Sequence, residues 1–471
     1  MMASVERQSA EVLVVGGGLA GFSAALAAAE SGAAVTLIEK TASCGGSTVL
    51  SGGGFAFAGT DMQEVAGIRD SIALLRDDLL KVGNNKNDAD LVEVFLERQL
   101  DTYDWLKRRG VEFGAVALAS GMSVPRAHPV NPSRMMEVLR AAISQTGRIT
   151  IQTECAALRI HPGDSFEASP SVRVDSRGRV FDMPVTRGIV LATGGFSRSE
   201  MLLERYTPHL RHALRNGGAE NTGDGFLMGL ALGADHRDVG YIKGTFGFSL
   251  NGYLGQPPEC GITSRLFVAM YEGAIIVNLD AKRFVNESVS YKVIGEACLQ
   301  QRDAVGFQIF DARIMARSNP VPTTSDFRLA EKLGLMVRAD TLPELAERLH
   351  IDSKELCRTI DRYNRSVADG IDTEFGRTSL GAEYGRPVTI EVSPFYGYPC
   401  STSVLATYCG LAINPSMQLV NPYGEPVSRV FAAGEIVGGF HGEGYSSGSA
   451  LSKAAIFGRI AGENAAKQAT T

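Results

Sequence analysis

Three features of the sequence predict an α/β fold built on a parallel sheet. The segment Val12–Gly21, VLVVGGGLAG, is typical of a buried strand that enters a glycine turn and a helix. A second apolar run, Val35–Ile38, follows and ends at Glu39. Far along the chain, the buried runs Gly188–Ala192 and Val430–Ala433 also lead into glycines, as central strands of one parallel sheet do.

The opening glycine turn predicts a dinucleotide site. Gly16 allows the tight turn, Gly18 lets backbone amides approach the phosphates, and Gly21 lets the helix pack close to the strand. The N-terminus of that helix then faces the pyrophosphate. Glu39, about twenty residues beyond the glycines, would bind a ribose hydroxyl and disfavours a 2′-phosphate. The alternative is a glycine-rich turn in a buried αβ unit that binds nothing.

Helical patterns follow in two further regions. Apolar residues recur at helical spacing through Asp61–Val82, which predicts one amphipathic helix. Asp340–Gly370 predicts two helices, because Thr341 and Asp352 each stand three residues before a glutamate, the spacing of a capping box. We expect these two helices to lie outside the nucleotide-binding fold.

Length and composition fit an enzyme of more than one domain. The chain has 471 residues, 44% of them hydrophobic, which is enough for two domains with full cores. We expect residues 1–250 and 394–471 to build one domain from both chain ends, with residues 251–393 inserted as an α+β capping domain.

Charge and cysteine usage exclude several classes of function. The net charge of −6 and the pI near 5.8 argue against a nucleic-acid partner. The apolar stretch Val12–Ala29 contains three consecutive glycines and is followed by Glu30, so we interpret it as a buried strand and helix, with no membrane span and no signal peptide. Seven scattered cysteines without CxxC spacing predict a reduced, cytoplasmic protein with no metal site, attached haem or disulfide framework.

Several ordered motifs then carry a family resemblance. After the glycine turn come GGSTVLSGG from Gly45, ATGGF from Ala192, NTGDG from Asn221, KRFVNES from Lys282, AAGE from Ala432 and FGRIAG from Phe457. In this set and order the chain resembles the fumarate reductase and succinate dehydrogenase flavoprotein superfamily, which includes the 3-ketosteroid Δ1-dehydrogenases and related ketone desaturases. The resemblance implies a Rossmann-like FAD-binding domain, and FAD as a noncovalent cofactor, because no histidine stands at a flavin-attachment motif.

The resemblance also assigns cofactor contacts residue by residue. Gly16, Gly18 and Gly21 would hold the pyrophosphate, and Glu39 the adenosine ribose. The other residues implied to lie along the dinucleotide or the flavin are Lys40, Ser47, Thr48, Gly53, Thr193, Gly194, Asp224, Gly434, Glu435, Ser449, Ala450 and Leu451. The last three begin the final helix, whose positive end suits the negative charge of a reduced flavin. Glycines in turns need positive φ with or without a ligand, which is the alternative explanation.

The chain departs from the fumarate reductases where those enzymes hold a dicarboxylate. Their HHTMGG and GANRLGG motifs are represented here by LATYCG from Leu405 and GEGYSSG from Gly442, so both cationic anchors are absent. The family arginine four residues beyond NE is replaced by Tyr291. Since a dicarboxylate needs charge-assisted partners, these replacements argue against fumarate or succinate.

A pair of tyrosines at these places resembles the ketosteroid dehydrogenases. The resemblance implies that Tyr445 donates to a ketone oxygen, that Tyr291 removes the α-proton, and that flavin N5 receives the β-hydride. The alternatives are a lining or stacking role for Tyr445 and a packing role for Tyr291. Gly448 lies three residues beyond Tyr445 and Ser449 four, so the backbone donor to the oxyanion is left open between them.

Further candidates surround this pair. Glu287 would tune Tyr291 or relay its proton, or it caps a helix; His441 would be a second donor, or it packs beneath the flavin. His128 and Tyr408 are expected to line the substrate cavity. A carboxylate on the substrate would need a cation, for which the candidates are Arg126, His128, Lys243 and Arg265.

The sequence therefore predicts an FAD-dependent desaturase of a cyclic ketone, either a steroid or a compact ring such as 4-oxocyclohexanecarboxylate. Its partners would be the small-molecule ketone and an electron acceptor that the sequence does not identify: oxygen, a quinone or a carrier protein. The alternatives are a fumarate reductase-like reduction of an enoate or dicarboxylate C=C bond, and a flavin-binding protein without catalysis.

Overall fold

The computed structural model describes residues 9–163, 169–254, 264–320, 323–381 and 384–470. They form two compact units. The first contains the described residues up to Thr207, Gly217–Ile242 and those from Ala406 onwards; the second contains Pro208–Asn216 and Lys243–Leu405.

The strands are β1 (Ala10–Val15), β2 (Val35–Ile38), β3 (Gly54–Ala56), β4 (Ala127–Pro129), β5 (Ile149–Gln152), β6 (Cys155–His161), β7 (Ser171–Ser176), β8 (Arg179–Leu191), β9 (Leu214–Arg215), β10 (His236–Arg237), β11 (Thr245–Ser249), β12 (Ile275–Val277), β13 (Gly306–Asp311), β14 (Val337–Ala339), β15 (Phe395–Val404), β16 (Gly410–Leu411), β17 (Gln418–Val420) and β18 (Pro426–Ala432). The α-helices are α1 (Leu19–Glu30), α2 (Gly46–Leu50), α3 (Asp61–Val65), α4 (Ile72–Val82), α5 (Ala89–Arg108), α6 (Pro132–Thr146), α7 (Glu200–Tyr206), α8 (Asp224–Ala231), α9 (Tyr291–Leu299), α10 (Ala312–Met315), α11 (Phe327–Lys332), α12 (Leu342–Arg348), α13 (Ser353–Asp369) and α14 (Ser449–Ala466).

The first unit is built on a sheet with the strand order β17-β18-β8-β1-β2-β5. Pairing is parallel from β18 through β8, β1 and β2 to β5, and antiparallel between β17 and β18. The predicted parallel strands are thus confirmed. β8 is longer than predicted, because its first half pairs antiparallel with β7 before the second half enters the sheet. The carboxyl ends of parallel strands share one edge, where open α/β sheets bind ligands.

Close packing of α1 on α14 fixes the last helix against this sheet. A Cβ at Gly458 would lie 2.5 Å from the carbonyl oxygen of Ala20, and one at Gly462 would collide with that of Ala24. Only glycine allows the two backbones this close. The FGRIAG motif is therefore a helix-packing motif in this fold.

The helix predicted over Asp61–Val82 is wrong in one respect, because the structure has two helices there, α3 and α4. Gly67 adopts φ +68 between them, and each helix has its own N-cap, Thr60 accepting from the Gln63 amide and Ser71 from the Leu74 amide. Two capping side chains and a left-handed glycine outweigh the continuous apolar spacing.

The second unit has an antiparallel sheet in the order β11-β15-β13-β12, with β9 and β14 also paired to β15. Both β11 and β15 belong to it, so besides Pro208–Asn216 it contains Lys243–Leu405, where the sequence placed its boundaries at 250/251 and 393/394. The helices α12 and α13 are confirmed with their predicted caps, since Thr341 accepts from the Glu344 amide and Asp352 from the Glu355 amide.

Across the described ranges, no helix is long and apolar enough to cross a membrane.

Candidate functional site

The glycine turn after β1 contains two glycines that chain packing requires and one that it does not. Gly16 adopts φ +110 and its Cβ would collide with the carbonyl of Ala192, while a Cβ at Gly21 would collide with the carbonyl of Gly16. A Cβ at Gly18 would meet only the Thr48 hydroxyl at 3.6 Å and a carbonyl at 4.0 Å. Packing therefore explains Gly16 and Gly21, whereas the space at Gly18 stays open for a ligand.

Glu39 ties the end of β2 to the glycine turn. One carboxylate oxygen accepts from the Gly17 amide at 2.8 Å, and the other accepts from the amide and the hydroxyl of Thr41, both at 2.9 Å. The Glu39 carboxylate thus lies beside the glycine turn. Its expected contact with a ribose hydroxyl stays a prediction.

Lys40 and Asp224 meet, although 184 residues separate them. The Lys40 Nζ lies 2.8 Å from the Asp224 carboxylate, 2.9 Å from the Thr222 hydroxyl and 3.3 Å from Glu220. Asp224 is the first residue of α8, whose positive end also favours its charge.

The GGSTVLSGG segment lies against the glycine turn. The Thr48 hydroxyl accepts from the Leu19 amide at 3.1 Å, in the first turn of α1, and the Ser47 hydroxyl accepts from the Gly218 amide at 3.3 Å. Gly53 adopts φ +75, and a Cβ there would collide with the carbonyl of Val130. Chain packing alone accounts for Gly53.

Four predicted cofactor contacts follow the ends of β8 and β18 in the first unit: Thr193, Gly194, Gly434 and Glu435. Both glycines have positive φ. The Glu435 carboxylate accepts from the Asn221 side-chain amide at 2.9 Å and from the Thr407 amide at 3.1 Å, and burial raises the pKa of Glu435. The Thr193 hydroxyl is buried and has no hydrogen-bond partner among the described residues.

The N-terminus of α14 is locked in place. Ser449 is its first residue, after Gly448 at φ +85, and the Ser449 hydroxyl donates to the Ser446 carbonyl at 2.6 Å. The Ser452 hydroxyl both accepts from the Ala56 amide and donates to the Ala56 carbonyl. Ala450 and Leu451 complete the first turn, as predicted.

Tyr408, His441 and Tyr445 form an aromatic cluster in the first unit. The two phenol rings stack with their centroids 4.7 Å apart, and the imidazole lies 5.3 Å from Tyr408 and 5.7 Å from Tyr445. Burial, aided by the charge of Lys453, holds the pKa of His441 well below its ordinary value, so the imidazole is neutral. Its Nε2 is buried and has no hydrogen-bond partner in the described chain.

The amide of Gly448, one of the two candidate oxyanion donors, donates to the Tyr445 hydroxyl at 3.2 Å. In this structure the Gly448 amide therefore hydrogen-bonds to the phenol oxygen of Tyr445.

Tyr291 lies in the second unit as the first residue of α9, after the N-cap Ser290. Its half-buried ring packs against the core of that unit. The Nζ of Lys292 lies 5.9 Å from its ring centroid. Tyr291 also contributes, after burial, to raising the pKa of Tyr271.

Glu287 is fully buried and bound by arginines. Its carboxylate lies 2.7 Å from Arg283 and 3.5 Å from Arg377, and it also accepts from the Ile276 amide at 3.3 Å. The N-cap of α9 is Ser290, so the expectation that Glu287 caps that helix is wrong. A link from Glu287 to Tyr291 stays a prediction.

His128 and Arg126 are used inside the first unit. The His128 ring nitrogens lie 2.8 Å from the Thr60 hydroxyl and 2.8 Å from the Arg126 carbonyl, and the ring has no exposed surface. The Arg126 guanidinium pairs with the buried carboxylates of Asp70 and Asp78. This departs from the expectation that they face a substrate, because every polar atom of both side chains is engaged within the chain.

The two remaining candidate cations lie in the second unit. The Lys243 ammonium lies 3.9 Å from Glu296, and Arg265 is exposed in the segment between β11 and β12.

Comparison with known proteins identifies the family. The sequence matches the FAD binding domain family over residues 11–451. The chain belongs to this family of FAD-binding flavoproteins. It is similar to a probable fumarate reductase of Shewanella frigidimarina, 30% identical over 470 residues, which cover 98% of this chain and 76% of that protein.

Two solved structures share the FAD-binding family fold. A flavocytochrome c3 fumarate reductase in its open conformation has a TM-score of 0.84 and 28% identity, over 99% of this chain and 79% of that one. A 3-ketosteroid-Δ4-(5α)-dehydrogenase from Rhodococcus jostii has a TM-score of 0.75 and 24% identity over 99% of both chains, a likeness that extends to the fold alone. The chain is thus an FAD-dependent oxidoreductase of the fumarate reductase family.

The first unit fits FAD on observations of its own. The open position at Gly18 and the unpartnered, buried Thr193 hydroxyl follow the carboxyl ends of β1 and β8, the edge at which open α/β sheets bind ligands. A buried hydroxyl without a partner costs free energy, which a polar cofactor atom would offset.

Sequence reasoning missed three residues of this region. Asn221 and Thr407 hold Glu435; Asn221 begins the NTGDG motif and Thr407 lies in LATYCG, so both motifs carried a signal. Lys453, whose Nζ donates to the Val437 carbonyl at 3.0 Å, is buried in α14, and burial lowers its pKa to about 8. No local pattern marks it.

Proposed function

We propose that this chain catalyses the α,β-desaturation of a cyclic ketone, with Tyr445 donating to the ketone oxygen and Tyr291 accepting the α-proton. The observation that carries the proposal is the uncharged aromatic cluster, in which Tyr445 stacks on Tyr408 beside a neutral His441.

The cluster favours a neutral substrate over a dicarboxylate. A dianion taken out of water needs paired cations, and the family resemblance puts such anchors where this chain has the apolar start of LATYCG, from Leu405, and Tyr445. A ketone oxygen needs only hydrogen-bond donors. The unpartnered Nε2 of His441 supports a polar contact there, because a buried ring nitrogen without a partner is costly.

The amide of Gly448 supports Tyr445 as that donor. A hydroxyl that accepts a hydrogen bond, here at 3.2 Å, becomes a stronger donor through its own O–H, since linked hydrogen bonds polarise one another. A stronger donor at the carbonyl lowers the free energy of an enolate.

The position of Tyr291 supports its role as the proton acceptor. It is the first residue of α9, and the positive end of a helix stabilises a developing phenolate by about 0.3–1 kcal/mol. Its half-buried ring leaves part of its surface accessible.

FAD, when bound, supplies the acceptor for the β-hydride. We propose steroids and compact rings such as 4-oxocyclohexanecarboxylate as the substrate classes. For a carboxylated ring, the remaining candidate cations that could bind the carboxylate are Lys243 and Arg265. The final acceptor of the electrons would be oxygen, a quinone or a carrier protein. The scattered cysteines support a cytoplasmic location.

Reduction of an enoate is the second candidate, because a relative 30% identical over 98% of this chain carries the name of a probable fumarate reductase. The same residues would then act in reverse, with Tyr291 delivering a proton to the α-carbon and Tyr445 polarising the carbonyl.

The two phenols can be tested separately by Tyr291→Phe and Tyr445→Phe, with the exposed Tyr423→Phe as the matched control. We expect all three to retain FAD. Anaerobic flavin reduction should slow by about a hundred- to ten-thousandfold for Tyr291 and about a hundred- to a thousandfold for Tyr445. A ketone deuterated at the α-carbon should show a larger isotope effect with Tyr291→Phe, because proton removal becomes slower. Rates within a few-fold of the parent for both variants would make the phenols packing residues.

A further inference from the structure

Tyr408 has a backbone conformation that tyrosine seldom adopts. Its φ of +54 lies in the left-handed region, where the Cβ of a residue other than glycine crowds its own backbone. A bulky residue persists there only when the surrounding structure enforces it, and such residues concentrate at functional sites. Glycine or asparagine would make the same turn with less strain, so the turn alone does not account for a tyrosine at this position.

The chain is fixed on both sides of Tyr408. The Thr407 amide donates to the Glu435 carboxylate at 3.1 Å, and Gly410 begins β16, which pairs with β10. A Cβ at Gly410 would collide with the carbonyl of Ile436, so β16 lies directly against the backbone of another segment. Tyr408 therefore makes its turn between two fixed points.

The ring of Tyr408 contacts both side chains that we propose to face the ketone oxygen. It stacks on Tyr445 with the centroids 4.7 Å apart and the planes at 25°, and it lies edge-on to His441 at 5.3 Å and 76°. Tyr408 precedes β16, whereas the other two residues lie in the segment that leads to α14, so the stack joins two separate segments. Since the Gly448 amide donates to the Tyr445 hydroxyl at 3.2 Å, this phenol is held at its oxygen by Gly448 and at its ring by Tyr408.

We infer that Tyr408 is a positioning residue, whose ring holds the Tyr445 phenol in the orientation in which its hydroxyl donates to the ketone oxygen. The inference rests on the proposed function. Stacked rings resist tilting against each other, and a displacement of about 1 Å at a reacting group can slow a reaction about a hundredfold. The strained backbone is retained because relaxing it would move the ring away from Tyr445.

Urea unfolding of the apoprotein tests the strain without FAD or substrate. Tyr408→Gly and Tyr408→Ala both remove the ring, but only glycine adopts this φ freely, so the urea midpoint of Tyr408→Gly should lie above that of Tyr408→Ala. The exposed Tyr423, whose φ is not positive, is the matched control. There the order should be the reverse, because alanine restricts the unfolded chain more than glycine does. A midpoint of Tyr408→Ala equal to or above that of Tyr408→Gly would overturn the inference.

Near-ultraviolet circular dichroism tests whether Tyr408 orients Tyr445. The Tyr445 contribution is the difference between the spectra of otherwise identical proteins with and without Tyr445→Phe. Because fixed packing of aromatic rings produces this signal, the contribution should persist in Tyr408→Phe, which keeps a stacked ring, and should be largely lost in Tyr408→Gly. An unchanged Tyr445 contribution in Tyr408→Gly would contradict the inference.

Anaerobic flavin reduction tests the consequence in the FAD-loaded protein, with cyclohexanone, 4-oxocyclohexanecarboxylate and 4-androstene-3,17-dione as reductants. Tyr408→Gly should lower the limiting rate by about ten- to a hundredfold, with a smaller change in the half-saturating ketone concentration, and Tyr408→Phe should restore most of that rate. In a Tyr445→Phe background, Tyr408→Gly should slow the reaction only a few-fold further, because a residue that acts through another is not additive with it.

Two results of the flavin-reduction experiment would overturn the inference. One is an equal loss from Tyr408→Gly in both backgrounds, and the other is a loss in Tyr408→Phe as large as that in Tyr408→Gly. If no ketone reduces the flavin of the parent, the proposed function fails. The urea midpoints and the circular dichroism then decide alone whether Tyr408 holds Tyr445.

Discussion

A single added methyl group distinguishes the ligand-dependent glycine from the structural ones. Gly18 has an extended backbone, φ −80 and ψ −173, and its Cβ would be in ordinary contact with Thr48 at 3.6 Å. Gly18→Ala should therefore leave the apoprotein as stable as the parent, or more stable by about 0.4–1 kcal/mol, because the unfolded chain loses freedom. Gly21→Ala forces a Cβ into the Gly16 carbonyl and should cost about 1–3 kcal/mol or more.

The effect of Gly18→Ala on FAD should be the reverse. A methyl group in the open space keeps the pyrophosphate from the backbone amides, and a lost hydrogen bond to a charged group costs about 1.5–3 kcal/mol. This corresponds to roughly a 10- to 150-fold weaker Kd. Urea unfolding of the apoprotein and quenching of FAD fluorescence on binding measure the two effects. The reasoning is refuted if Gly18→Ala binds FAD like the parent, or destabilises the apoprotein as much as Gly21→Ala does.

Three further outcomes follow from the same structure. Glu287→Gln removes a carboxylate from two buried arginines, Arg283 and Arg377, and should lower the free energy of unfolding by about 3–5 kcal/mol. The control Glu374→Gln, at a partly exposed side chain, should change that free energy only slightly. Denaturant unfolding measures both variants. Unfolded lysine keeps its proton to about pH 10.4 but folded Lys292 loses it near a pKa of about 7, so the unfolded state binds more protons in that window and parent stability rises with pH. Lys292→Met should remove this rise, and equal slopes of unfolding free energy against pH in parent and variant would contradict the assignment. Denaturation should release the FAD into the supernatant, whereas flavin remaining on the precipitated chain would indicate a covalent link.

The local elements of this fold could be predicted because their signals are local. β1, α1 and β2 follow from apolar runs and glycines that are close in sequence, and α12 and α13 from caps within one turn of each helix. The break between α3 and α4 was not predicted, because it depends on the left-handed conformation of Gly67. The apolar spacing continues across that residue and does not indicate it.

The candidate site was less predictable, since its polar contacts are long-range. Glu287 stands only four residues before Tyr291, but its charge is balanced in part by Arg377, ninety residues later. His128 was expected to face a substrate, yet it bonds to Thr60 in a buried aromatic environment. The lowered pKa of Lys292 results from tertiary burial, which no spacing rule conveys.

The direction of the reaction is tested most directly by mixing the FAD-loaded protein anaerobically with candidate substrates of each direction. Flavin absorbance reports whether the flavin is reduced or reoxidised. Oxidised protein is mixed with cyclohexanone, 4-oxocyclohexanecarboxylate and 4-androstene-3,17-dione, and dithionite-reduced protein with fumarate. The proposed function predicts that at least one ketone bleaches the flavin and that fumarate reoxidises it far more slowly than the several-per-second turnover ordinary for enzymes. Rapid reoxidation by fumarate with no bleaching by any ketone would contradict the proposed desaturation and favour enoate reduction.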